Sequence, residues 1–223
     1  MLLCLLVFII FTVAIKTIDT STVYAVDYTG SKDTPDAFEI GFSSVNIPFA
    51  EKIGYSDFWY TLSELLGYIS VATVLVFAFI GLRSLVKSRS LSGVDSDIIA
   101  LGIFYIVVFL LYVLFDKIAI NYRPVITDVE NMLEASYPSS HTLLGLSVML
   151  TAAAESRSML KKPVLRRVVP MLLALTGVLT VISRLLSGVH WFTDIIGGII
   201  LSACLVSFWD FLRCQLKIRC AKH

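Results

Sequence analysis

Apolar residues in this chain arrive in runs, and that constrains its fold more than any other feature. Of 223 residues, 57% are hydrophobic and only 16% charged, with a mean hydropathy of +0.84. A soluble domain is about 45–50% apolar and about 25% charged, so a water-exposed surface cannot be built from this composition. Runs lie near 1–15, 58–82, 98–115, 141–154, 168–182 and 193–212. The second, third and sixth approach the ~20 residues that cross a bilayer core; the other three are short. With no water in the hydrocarbon core, each run must satisfy its own backbone hydrogen bonds, which selects helices. The expected fold is all-α: a polytopic membrane bundle of about six transmembrane helices, with residues 1–223 forming one domain.

Basic residues orient it. Arg83, Lys87 and Arg89 follow the second run, and Arg157, Lys161, Lys162, Arg166 and Arg167 follow the fourth. Arg213, Lys217, Arg219 and Lys222 follow the sixth, so 12 of the 18 Lys and Arg fall on one side. Short basic loops stay in the cytosol. An even number of spans then leaves both termini cytoplasmic in a multi-pass cell-membrane protein. Residues 1–15 could instead form the apolar core of a signal peptide. No basic residue precedes them, however, and Thr22-Val23-Tyr24-Ala25 is a loose cleavage match, so a retained span is expected.

A net charge of +1, with no basic patch interleaved with aromatics, points away from nucleic acid. None of Cys4, Cys204, Cys214 and Cys220 falls in an outward loop, so no extracytoplasmic disulfide is expected. Cys214, Cys220 and His223 fit no zinc spacing. Residues 16–56 form the one long polar segment, acidic overall. It reads either as a solvated connector with a partly ordered second half, or as a lid whose Phe38, Ile40, Phe42, Ile47 and Phe49 lie in the membrane interface.

Three polar clusters interrupt this pattern, and the topology sends all three to the outer face. Ser183-Arg184 runs through His190 to Asp194 just before the last run; Pro138-Ser139-Ser140-His141 opens the fourth; Lys117 and Arg123-Pro124 follow the third. A guanidinium holds an oxyanion through two parallel hydrogen bonds. His190 and Asp194, four apart, share a face on a helix, so the carboxylate can orient the ring. The start of the helix after Ser139 and Ser140 offers free N–H groups to an anion, and both serines can cap it. No carboxylate cluster is available to mount Mg²⁺, and neither a metal nor a cofactor is expected.

Together the clusters resemble the signature of the type-2 phosphatidic acid phosphatase superfamily of membrane lipid phosphatases. The third part is complete, the second carries Ser140 where Gly is usual, and the first is one residue short between Lys117 and Arg123. The resemblance spans roughly residues 98–212. It implies that His190 is the nucleophile, that Asp194 fixes its tautomer, and that His141 protonates the departing lipid oxygen. It further implies that Lys117, Arg123, Arg184 and Ser139, with the neighbouring Ser140 and backbone N–H groups, hold the phosphoryl oxygens. Charge spreads over three equatorial oxygens in the transition state, so several fixed donors are required. The substrate would be a lipid phosphate drawn from the bilayer: undecaprenyl diphosphate first, phosphatidylglycerophosphate or phosphatidic acid next. Two rivals are vanadate-dependent haloperoxidation, typical of soluble relatives, and an inactive lipid-binding or transport protein.

Two positions stay open. In a helix, Lys117 and Arg123 would lie about 120° apart, so convergence needs a turn or extended stretch between them. Glu64, inside the second run, would cost about 2.5–3.5 kcal/mol against lipid and must face protein or water. It can pair with a site cation or bond a neighbouring hydroxyl such as that of Thr61. The charge bias makes a direct prediction. In a background lacking native cysteines, a cysteine at Ser31 is labelled by an impermeant maleimide on intact cells, and one at Ser158 is not. The reverse pattern overturns the topology.

Overall fold

A computed structural model describes residues 2–28, 36–127 and 133–220, with side chains to 218. Ser31, Lys32, Asp33, Lys222 and His223 lie outside the described residues, as do the side chains of Arg219 and Cys220. Seven helices are present among the described residues: α1 (Leu2–Thr17), α2 (Ser43–Ile53), α3 (Asp57–Ser88), α4 (Ser96–Lys117), α5 (Ser140–Met159), α6 (Pro163–Leu186) and α7 (Phe192–Cys220). All but α2 coincide with the apolar runs, so the bundle is helical as the composition requires. By length and composition α3, α4, α6 and α7 can each cross a bilayer, whereas α1 has 16 residues.

The fourth run looked short because α5 is the centre of the bundle and is walled by protein. It packs against α3, α4, α6 and α7, so small and hydroxyl side chains replace the apolar ones that lipid would demand. Close approach sets the α5–α6 contact. A Cβ on Gly145 would lie 2.7 Å from Thr180 Cγ2, and one on Gly177 would lie 3.1 Å from the Gly145 carbonyl oxygen. Such small-residue seams let helices meet without a hydrophobic drive between them. The helix ends are marked locally. The Asp95 side chain accepts from Asp97 N at 2.9 Å before α4, and Pro163 opens α6.

Residues 16–56 are neither a simple connector nor a free lid. They carry short strands that periodicity alone did not reveal: β1 (Ser21–Tyr24), β2 (Val26–Asp27) and β3 (Ala37–Ile40), with β4 (Val125–Ile126) supplied by the α4–α5 connection. β1 and β3 are antiparallel, and β2 runs parallel to β4. Phe38 and Ile40 are buried with Ala25, Ile126 and Trp191 in a second small core, so they face protein and not the membrane interface. Asp19 sits at the N-terminus of α2, where its carboxylate accepts from Ser44 N at 2.8 Å and Ser43 Oγ at 2.9 Å. Asn46 on α2 donates to the Gly41 carbonyl and to Thr193 Oγ1, and accepts from Thr193 N. This layer is therefore bolted to the start of α7.

The α6–α7 turn is tied to the same layer. Gly188 has φ +73°, and a Cβ there would come within 2.0 Å of the Gly54 carbonyl oxygen. Ser56 N donates to the Ser187 carbonyl at 3.1 Å. The turn that carries His190 is thus held against the α2–α3 junction by close backbone contact as well as by the packing of Trp191.

Candidate active site

The start of α3, the end of α4, the start of α5, the end of α6 and the start of α7 meet at one end of the bundle. α3, α4, α5, the α4–α5 connection and the turn before α7 line a cavity of about 200 Å³, with Tyr60, Glu64, Arg123, Glu134, Ser136, Ser140, His141 and His190 among its walls, and α6 reaches this end through the pairing of Arg184 with Glu64. The three sequence clusters therefore converge, and α3 joins them.

His190 leads α7 and is 2% exposed. Its Nδ1 lies 3.0 Å from Ser136 Oγ and 3.6 Å from Asp194 Oδ2. The latter is too long for a hydrogen bond. Ser136 stands between them, donating its hydroxyl proton to Asp194 Oδ2 and accepting from His190 Nδ1. The carboxylate thus orients the ring through a hydroxyl, not directly as the four-residue spacing suggested. With Nδ1 protonated, Nε2 carries the lone pair, and it has no hydrogen-bond partner among the described residues. Burial first, then the charges of Arg184, Arg123 and His141, hold the imidazole well below its ordinary value. A neutral, half-coordinated imidazole at a cavity wall can attack an electrophile.

Asp194, fully buried, is fixed by Ser136, by Trp191 N at 2.9 Å and by Asn121 Nδ2 at 3.4 Å. Its own carbonyl accepts from Ser139 N at 3.1 Å, so a single residue joins two of the clusters.

Arg184, at the end of α6, is 1% exposed. Its Nη1 donates to Ser63 Oγ and Glu64 Oε1, each at 3.0 Å, and its guanidinium sits over the Tyr60 ring, 5.4 Å from the centroid. Glu64 also contacts His141 Nε2 at 3.2 Å. Of the two partners that sequence allowed for Glu64, the cation is the one observed, and Thr61 is exposed. Arg123 pairs with Glu134 and lines the cavity.

Ser140 lines the cavity, whereas Ser139 is fully buried and caps α5 by accepting from Thr142 N at 3.4 Å. Lys117 is not brought in. The chain does leave the helix after it, as convergence required. Yet the ammonium is 77% exposed and paired with Asp116 at 3.3 Å. In the last turn of α4 its side chain has solvent on one side and a carboxylate beside it.

Ser136, Asn121, Glu134 and the α3 residues were not legible as site residues. They sit on irregular or uniformly apolar sequence, where neither period nor spacing singles them out. Only the intramembrane charge of Glu64 signalled a polar environment.

A PAP2 superfamily sequence profile matches residues 98–213, just over half the chain. The chain belongs to the PAP2 superfamily. That membership makes it a metal-independent phosphatase, and with four membrane-length helices a multi-pass membrane protein. The fold is shared with a solved structure, the first transmembrane PAP2-type phosphatidylglycerolphosphate phosphatase from Bacillus subtilis. The TM-score is 0.59 at 17% identity, over 96% of each chain. No curated protein sequence matches. Within this PAP2 chain, α1 to α3 precede the matched region, yet α3 lines the cavity.

Two outcomes follow. The acid limb of kcat/KM governed by His190 lies below the ordinary histidine value of about 6.5, because the ring stays neutral until the depressed value is reached. Arg123→Gln removes a positive neighbour, which makes the imidazolium less unfavourable and moves that limb to higher pH. A pH profile of kcat/KM reads both. Separately, Lys117→Ala loses less than about threefold in kcat/KM, whereas Arg123→Ala loses at least about tenfold, roughly 1.4 kcal/mol.

Proposed function

We propose that the protein hydrolyses a lipid phosphate or diphosphate through a phosphohistidine on His190, at the extracytoplasmic boundary of the cell membrane. The observation that carries this reading is the Nε2 of His190, without a partner among the described residues, in a cavity lined also by Arg123 and His141, with Arg184 behind it on the lining residue Glu64.

In the first step the Nε2 lone pair forms a bond to phosphorus. The bond from phosphorus to the lipid oxygen breaks, its electron pair goes to that oxygen, and His141 supplies the proton. Asp194, through Ser136, compensates the positive charge that develops on His190. Arg123 and Arg184 hold the equatorial oxygens with the Ser140 side of the α5 N-terminus. In the second step a water oxygen attacks phosphorus while the now-neutral His141 takes its proton. The P–N bond breaks, its pair returns to Nε2, and phosphate leaves.

A second, apolar cavity of about 390 Å³ lies beside the first and shares Glu64, Tyr112 and His141 with it. Its wall includes Tyr68, Val71, Val108, Phe109 and Val148, between α3, α4 and α5. A hydrocarbon chain seated there would put its headgroup at His190 without leaving the bilayer, which favours a lipid over a soluble phosphate. Basic Arg157, Lys161, Arg166 and Arg167 cluster at the opposite end of the bundle, and the positive-inside rule makes that end cytoplasmic. Undecaprenyl diphosphate and phosphatidylglycerophosphate are the leading substrates; the phosphatase from Bacillus subtilis that shares this fold is named for the second.

With radiolabelled lipid phosphate, acid-labile and base-stable label accumulates on wild type and not on His190→Ala. Orthovanadate inhibits turnover, and EDTA leaves it unchanged. A metal requirement, or label on His190→Ala, overturns the mechanism. A panel of undecaprenyl diphosphate, phosphatidylglycerophosphate and phosphatidic acid ranks the substrates by kcat/KM.

A further inference from the structure

One face of α3, outside the region that carries the family signature, is built against the site. Tyr60, Ser63, Glu64 and Gly67 follow the i, i+3, i+4, i+7 spacing of a single helix stripe. Tyr60 and Ser63 meet the Arg184 guanidinium, whereas Glu64 Oε1 bridges Arg184 Nη1 at 3.0 Å and His141 Nε2 at 3.2 Å. One turn further, the helix comes flush against the His141 ring. A Cβ on Gly67 would lie 2.9 Å from Cδ2 and 3.0 Å from Nε2. The ring is therefore gripped by α3 at its Nε2 edge. Its Nδ1 is buried and has no partner among the described residues.

Resting on the phosphohistidine reading above, we propose that Glu64 is a positioning residue for the leaving-group acid: it accepts the Nε2–H of His141 and leaves Nδ1–H as the proton given to the lipid oxygen. When the phosphorus–oxygen bond breaks, the Nδ1 proton moves to the oxygen that receives the electron pair, and the ring becomes neutral with Nε2–H still held by Glu64. In the second step Nδ1 recovers a proton from the attacking water. Glu64 gains and loses no proton. The absence of a side chain at Gly67 lets α3 come close enough for this contact. Arg184 keeps Nε and Nη2 for the phosphoryl group, since only Nη1 is committed to α3.

A proton donor matters most when the leaving group is a poor one, such as an alkoxide. The test compares a lipid phosphate with p-nitrophenyl phosphate, whose phenolate departs with little help. Glu64→Gln and Gly67→Ala each lower the ratio of lipid to aryl turnover by at least about tenfold, as does His141→Ala. In a His141→Ala background Glu64→Gln has no further effect on that ratio, because the residue acts through the ring. Equal losses on both substrates make Glu64 merely structural and overturn the proposal, and so do independent, multiplying effects of Glu64 and His141. Retention of lipid turnover by His190→Ala instead breaks the underlying mechanism, an outcome that the Glu64 ratio does not mimic. Gly67→Ala keeps the test open should Glu64→Gln fold poorly, because alanine is the better helix former.

Discussion

A guanidinium with 1% of its surface exposed needs partners to offset its charge, and one face of α3 is built to supply them to Arg184. Leaving such a charge without partners costs about 3–5 kcal/mol, a large share of the stability of any domain. α3 supplies a hydroxyl, a carboxylate and an aromatic face, which binds α3 to α6 at the end where chemistry is expected. The same charge bears on His190, because a cation nearby opposes a second one. Pairing Arg184 with Glu64 tempers that effect without cancelling it, and burial does the rest. The site is thus an electrostatic balance in which two guanidinium groups and a neutral imidazole coexist.

The bundle and the convergence of three clusters could be read from the chain because both rest on strong, local signals. Apolar runs dictate helices, and Arg184, His190 and Asp194 are close in sequence and are brought to one end of the bundle, although Ser136 stands between the last two. What could not be read depends on side chains from distant segments. Ser136, interposed between Asp194 and His190, lies in a stretch without periodicity. Lys117 illustrates the opposite error: a residue of the right type near the right place is drawn off by the neighbouring Asp116. The strands of residues 16–56 escaped for another reason. β2 and β4 are two residues each and pair across about a hundred positions, so no local pattern announces them.

α5 also shows how composition can mislead in a bundle. Its serines, threonines and glycines lower its hydropathy, as in a helix headed for water. In fact they mark the helix at the centre of the bundle, and the hydroxyls of Thr151, Ser156 and Ser158 bond the backbone of the same helix, Thr151 to the Ser147 carbonyl at 2.7 Å. The central position of α5 gives His141 a rigid platform.

The first helix of the chain packs against the last: α1 lies on α7, and its Phe8 and Thr12 meet Tyr137, the residue before Pro138. During synthesis, α1 leaves the ribosome long before α7 exists. Until α7 arrives, its buried flank, with Ile15 wholly enclosed in the finished bundle, lacks its final partner. His190 and Asp194 enter with that same final helix. Assembly is therefore ordered by the ribosome, and long-range closure of this kind is the slow step of folding. A chain halted before its last helix would lack both residues, and with them the chemistry proposed for the site.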